Sequence, residues 1–194
     1  MSTTSVAPQA RTSWDIDVAH SSIRFSVKHL TISAVHGRFD RWTGSIVLDD
    51  AGIERSQVSV RIEAASINTH ETQRDAHLRS ADFFDAGKYP AITFRSTHIE
   101  KTLGGSFQMA GDLTIASVTR RVALMVELMG QAKDPYGNER AVFTATTTID
   151  RRDFGLVWSQ VLEAGGLLVG ETVTIEISVE AVRRIEKLTK GARS

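Results

Sequence analysis

The chain has 194 residues, with 23 basic and 23 acidic side chains, no cysteine, three prolines and 41% hydrophobic residues. That length suits one domain with tails, large enough to bury roughly 70% of its unfolded surface. The missing cysteines exclude thiol catalysis, disulfides and thiolate metal sites; zero net charge provides no global field for nucleic acid or an anionic membrane; and no run approaches the ~18 consecutive apolar residues of a transmembrane helix.

Residues 1–12 are small and polar. They lack the basic start and apolar run of about 7–15 residues that a secretory signal needs. A disordered tail and a cytoplasmic protein are the expectation. Residues 185–194, basic and glycine-containing, form a second tail that frays, which leaves 13–184 as the folded domain.

Within that domain, period-two alternation dominates. Trp14, Ile16 and Val18 alternate with Asp15 and Asp17. Past His20-Ser21, the set Ile23, Phe25, Val27 and His29 alternates with polar residues. In the run from Val35 to Leu48, Phe39 stands three residues before Trp42, after which Gly44, Ile46 and Leu48 keep the parity of Trp42. That phase slip predicts a bulge near Asp40-Arg41. Val58, Val60, Ile62 and Ala64 form the next inward set.

The period changes over Asn68 to Gly87. Asn68 and Glu71 fit a capping box, Asp75 and Arg79 are spaced as an i,i+4 pair, and Gly87 and Pro90 end the segment. One or two short helices are predicted at about 69–86, with Leu78, Phe83 and Phe84 on the buried side. Alternation resumes with Ile92 and Phe94, then with Phe107, Met109, Gly111, Leu113 and Ile115 after Gly104-Gly105. Val122, Leu124, Val126 and Leu128 follow. After the turn-forming Asp134-Pro135-Tyr136-Gly137 come Phe143, Ala145 and Thr147. Leu156 to Gly170 is ambiguous, with Gly165, Gly166 and Gly170 arguing for a loop over a lipid-facing flap or short helix, and Val173, Ile175, Ile177 and Val179 close the series.

Eight or nine half-polar strands joined by short turns predict an all-β fold: an antiparallel sheet closed into an eight-stranded barrel to hide its edges. Strands of roughly 10–12 residues would each span about 35 Å before tilt, making a deep apolar bore. Large inward residues interleave with small ones such as Ala64, Gly111 and Ala145. The pattern alone leaves a packed interior and a ligand tunnel equally open.

One ordered set of motifs goes further. It comprises Trp14-x-Ile16-Asp17-x-x-His20-Ser21-x-Ile23-x-Phe25 with Lys28-His29; Gly37-x-Phe39 and Gly44; Ser66-Ile67-x-Thr69; and Arg74-Asp75-x-His77-Leu78-Arg79-Ser80-x-Asp82-Phe83-Phe84. Tyr89-Pro90-x-Ile92-x-Phe94, Gly111-x-Leu113-Thr114-Ile115, Arg151-x-Asp153-Phe154-Gly155 and Val169-Gly170-x-x-Val173 continue it. From Ser13 to Ala181 this order resembles YceI-like proteins. The chain departs from the family after the Leu113-Thr114-Ile115 strand. Ser117-Val118-Thr119-Arg120-Arg121 stands there in place of a Gly-Val-Thr-Lys-Pro link, which leaves that turn's geometry open.

The resemblance implies a lipocalin-like barrel holding a long isoprenoid chain, a polyprenyl phosphate or a quinone tail; no cofactor and no catalysis are expected. Its ligand would be walled or lidded by Phe25, Val27, His29, Phe39, Trp42, Leu78, Phe83, Phe84, Phe94, Phe107, Leu124, Phe143 and Phe154. Arg74, Asp75, His77 and Arg151 are candidates to meet a headgroup, or else to fix loop geometry. His29 shares the inward parity and would touch the headgroup or sit hydrogen-bonded at a rim.

Two other functions compete. An enzyme acting on such a lipid would use His29, Asp75 or His77 as acid or base, although no GxSxG motif is present. An interaction module would have a packed bore and a homodimer formed through strand edges or the helical flap. No metal is expected. His70 and His77 would lie about 10 Å apart along one helix, and no HxH or HExxH spacing occurs.

Overall fold

The computed structural model describes residues 11–30, 33–49, 52–159 and 169–184. Its strands are β1 (Arg11–Ile16), β2 (Ser22–His29), β3 (Ser33–Phe39), β4 (Trp42–Asp49), β5 (Gln57–Glu63), β6 (Ile67–Asn68), β7 (Ala91–Lys101), β8 (Phe107–Ile115), β9 (Val118–Lys133), β10 (Glu139–Asp150) and β11 (Val169–Arg183), with one α-helix, α1 (Thr72–Arg79).

These segments make eight staves, because three staves are interrupted. A 3-10 turn at Val18–His20 divides β1 from β2, and Asp40-Arg41 divides β3 from β4, where the phase slip falls. A second 3-10 turn at Ala64–Ser66 divides β5 from β6. Every stave pairs antiparallel with its neighbour in the chain, and β11 returns to pair with both β1 and β2. The result is an all-β, closed, eight-stranded antiparallel barrel. Closure gives each stave a neighbour on both sides, which removes the free outer edges of a flat sheet.

The turn after β8 is tighter than its sequence suggests. Ile115 pairs with Val118, so Ala116 and Ser117 alone make the connection, and Ala116 takes φ 51° in the left-handed region. No glycine is present to relieve that conformation.

The barrel has two unlike ends. At the flap end lie α1, the turns that follow it, and a 3-10 turn at Arg151–Phe154. At the hairpin end lie the β7–β8 and β9–β10 turns. Here β1 closes on β11 around Trp14, which packs with Ile46 against Ala141 and Ala181. Those two alanines are cross-strand partners with no exposed surface; their small side chains leave room for the indole. β9, β10 and β11 run to 16, 12 and 15 residues, so β9 and β11 exceed the expected lengths.

The helix begins differently from the sequence expectation. Glu71, and not Asn68, is its N-cap, accepting from the Gln73 and Arg74 amides. Asn68 Oδ1 instead accepts from the His70 amide, consistent with the left-handed backbone at His70. Asp75 and Arg79 do not pair. Both turn toward the chain just before the helix, as described below.

Candidate functional site: an apolar bore

Alternation along closed staves sends one side-chain set inward, and here that set does not fill the interior. A cavity of about 410 Å³ runs through the barrel, within the range of small-molecule sites. Phe25, Val27, Phe39, Trp42, Phe94, Phe107, Leu124 and Phe143 wall it, and Leu78, Phe83 and Phe84 reach it from the flap. Phe39 joins the flap to the wall, with its ring 6.1 Å from Phe84 edge-on and 5.7 Å from Phe25.

Two inward rings lie over glycines on neighbouring strands. A Cβ at Gly37 would stand 2.3 Å from Phe25 Cζ, and one at Gly111 would stand 2.3 Å from Phe94 Cζ. The missing side chains let these rings lie flat against the wall, which keeps the bore open.

His29 and Phe154 are not among the lining residues. His29 is the last residue of β2, opposite Val169, beside a register shift in β11 between Val169 and Val173. Phe154 is 2% exposed and buried in the main core cluster with Trp42 and Leu156. The sequence pattern passed over Ile53, in a 3-10 turn outside the strands, and Gln131, which lies past a register shift in the β9–β10 pairing. The polar lining side chains are Arg24, Gln131, Thr147 and Arg151.

The four headgroup candidates occupy two places. Arg74 and Asp75 serve the chain before the helix. Arg74 donates to the Thr69 hydroxyl and carbonyl, and Asp75 Oδ1 accepts from the Thr69 amide and hydroxyl at 2.9 and 2.6 Å. Arg79 donates to the Ala65 and Ile67 carbonyls. His77 Nε2 donates to Asp82 at 2.9 Å, and its ring meets Trp158 and Phe83 edge-on at 4.6 and 5.1 Å.

Arg151 alone of the four borders the bore. It is 5% exposed and donates to the carbonyls of Leu156, Trp158, Val169 and Gly170. Burial pushes its pKa down, and the charges of Glu171 and Asp150 oppose this.

Asp17, His20 and Glu180 bring ligand atoms within 4.8 Å of one another. Arg140 Nη1 donates to both carboxylates, so a guanidinium already sits between them.

A closed antiparallel meander around an apolar bore defines a lipocalin-like barrel, a class that encloses small ligands. A sequence profile of the YceI-like domain matches residues 14–181, and the chain belongs to that family. A UPF0312 protein of Vibrio cholerae is 38% identical over 170 residues, 88% of this chain and 86% of its own. The crystal structure of a Campylobacter jejuni YceI protein is 35% identical, covers 81% of this chain and 90% of its own, and superposes with a TM-score of 0.70. A polyisoprenoid-binding domain from Saccharophagus degradans shares the fold at 16% identity, with a TM-score of 0.66 over 88% of this chain and 98% of its own. Among the described residues, no helix is long and apolar enough to cross a membrane.

Proposed function

We propose that this protein binds a long isoprenoid-type lipid in its bore without chemically altering it, as a storage or transport carrier. The observation that supports this reading is the cavity itself, continuous through the barrel and walled almost wholly by hydrocarbon and aromatic side chains. Such a site selects by shape and dryness. Each buried CH₂ is worth about 0.8 kcal/mol, so four isoprene units, about twenty carbons, gain roughly 16 kcal/mol before costs. That exceeds the ~4–15 kcal/mol lost in immobilising a partner. The structural neighbour described as polyisoprenoid-binding and the shared family support the same ligand class.

Titration with a fluorescent polyprenyl probe tests the proposal. Ala145 lines the bore and is 8% exposed, so Ala145→Phe inserts a ring into the cavity. The native protein is expected to bind the probe saturably, and the variant to lose most of that affinity while keeping its β-sheet circular dichroism. Equal affinity in both proteins would place the probe outside the bore.

A further inference from the structure

Seven large apolar side chains are exposed among the described residues, and five of them (Leu103, Met125, Leu128, Met129 and Tyr136) belong to the β7–β8 turn and the β9–β10 hairpin. Leu103 and Tyr136 are turn residues, 104% and 89% exposed. Both turns lie at the hairpin end, the β9–β10 turn seven residues further along β9 than the start of β8. Phe107 pairs with Lys101 on one side and with Val126 on the other, so β9 from Glu127 onward runs past the end of β8 beside the 102–106 turn.

Leu128 links this surface to the bore, for it is 42% exposed and also lines the cavity. The bore therefore reaches solvent beside Leu128, at a mouth flanked by apolar side chains. We propose that this mouth docks on a lipid bilayer surface, with Leu103, Met129 and Tyr136 entering the headgroup region. The proposal rests on the lipid-binding reading. A long isoprenoid crossing water would expose the hydrocarbon that drives its binding, whereas a docked mouth offers an apolar path from bilayer to bore.

The chemistry of the tips and the backbone geometry favour a bilayer over a second copy of the chain. Lys101 and Lys133 are exposed at this end and form no ion pair among the described residues. Glu100 stands next to Lys101 and Glu139 directly opposite Lys133 on β10, so charge is balanced at this end and the apolar tips carry the docking. Tyrosine suits the interface, with an apolar ring and a polar tip. β9 offers a poor edge to another strand, because its register shifts at Met129, between Leu128 opposite Phe143 and Gly130 opposite Val142. Such a bulge disrupts edge pairing.

Vesicle flotation of the full chain tests this, using phosphatidylcholine vesicles with and without phosphatidylglycerol. The comparison is Leu103→Asp/Met129→Asp, two exposed positions whose change leaves the core intact. The native chain is expected to float with vesicles of either composition. The double variant is expected to bind them about tenfold less, with unchanged circular dichroism and unchanged affinity for the fluorescent polyprenyl probe. Absence of flotation, equal flotation of the variant, or a dimer on light scattering that the variant abolishes without any vesicle binding would overturn the proposal. A native chain that floats but does not take up the probe would keep the docking surface and refute the lipid-filled bore.

Discussion

The ring of Phe94 occupies the space that a side chain on Gly111 would need: a Cβ there would stand 2.3 Å from Phe94 Cζ and 2.6 Å from the Arg95 carbonyl oxygen. Gly111 is thus the seat of the Phe94 ring. Gly111→Ala must shift the ring inward and strain the β7 backbone. The expected loss is about 1–3 kcal/mol, typical of overpacking, and each kcal/mol lowers Tm by about 2–4 °C at this size. Adding Phe94→Leu should recover part of the loss, since the backbone contact remains. Thermal unfolding of the three proteins checks this, and a Gly111→Ala protein as stable as the native one would refute the packing described.

Arg151 ties the Leu156–Trp158 segment to the start of β11 through four carbonyls. Arg151→Met keeps the length and removes every donor, leaving carbonyls unsatisfied in a buried place. Denaturant unfolding is expected to show a loss of about 3 kcal/mol or more. Arg151→Lys should restore only part, because an ammonium cannot reproduce the spread of a guanidinium's donors. Full stability in Arg151→Met would mean that the clamp contributes nothing.

How much of this was legible in the sequence depends on whether the cause was local. Alternation fixed which residues face inward, and the three-residue step from Phe39 to Trp42 located the break at Asp40-Arg41, because a period-two pattern cannot slip without an extra residue. That Arg74 and Asp75 could fix loop geometry was one of two readings the sequence left open, but the partners of Arg74, Asp75 and Arg79 were not legible. Their spacing suited a pair along the helix, but the 65–69 segment lies against that helix and offers backbone partners that no spacing reveals. His29 keeps the inward parity but ends β2, beside a register shift in β11 about 140 residues further along the chain that no local pattern reveals. The open bore was only half legible: the small inward residues were visible, but that rings lie flat over Gly37 and Gly111 is a matter of three-dimensional packing.

Arg140 joins three acidic groups, Asp134, Asp17 and Glu180, where β10 meets the closing strands. The Asn138 amide and Arg140 hold Asp134 well below the usual carboxylate range. His20 and Arg140 lower Asp17. Groups whose folded pKa is depressed stabilise the fold above their unfolded value near 3.8, and that stability is lost as pH falls through the folded value. Arg140→Gln is therefore expected to lower Tm at neutral pH, and the native and variant curves should converge in acid below about pH 4. Parallel curves across the whole range would show that the network carries no linked protons.

The central claim, a bore that holds an apolar chain, is tested most directly by the mass of the protein as its host cell makes it. Native mass spectrometry followed by denaturing organic extraction should yield a complex heavier than the polypeptide and release one long, mostly hydrocarbon molecule per chain. A bare polypeptide mass, with an extract no richer in such molecules than that of an unrelated barrel handled identically, would contradict the account.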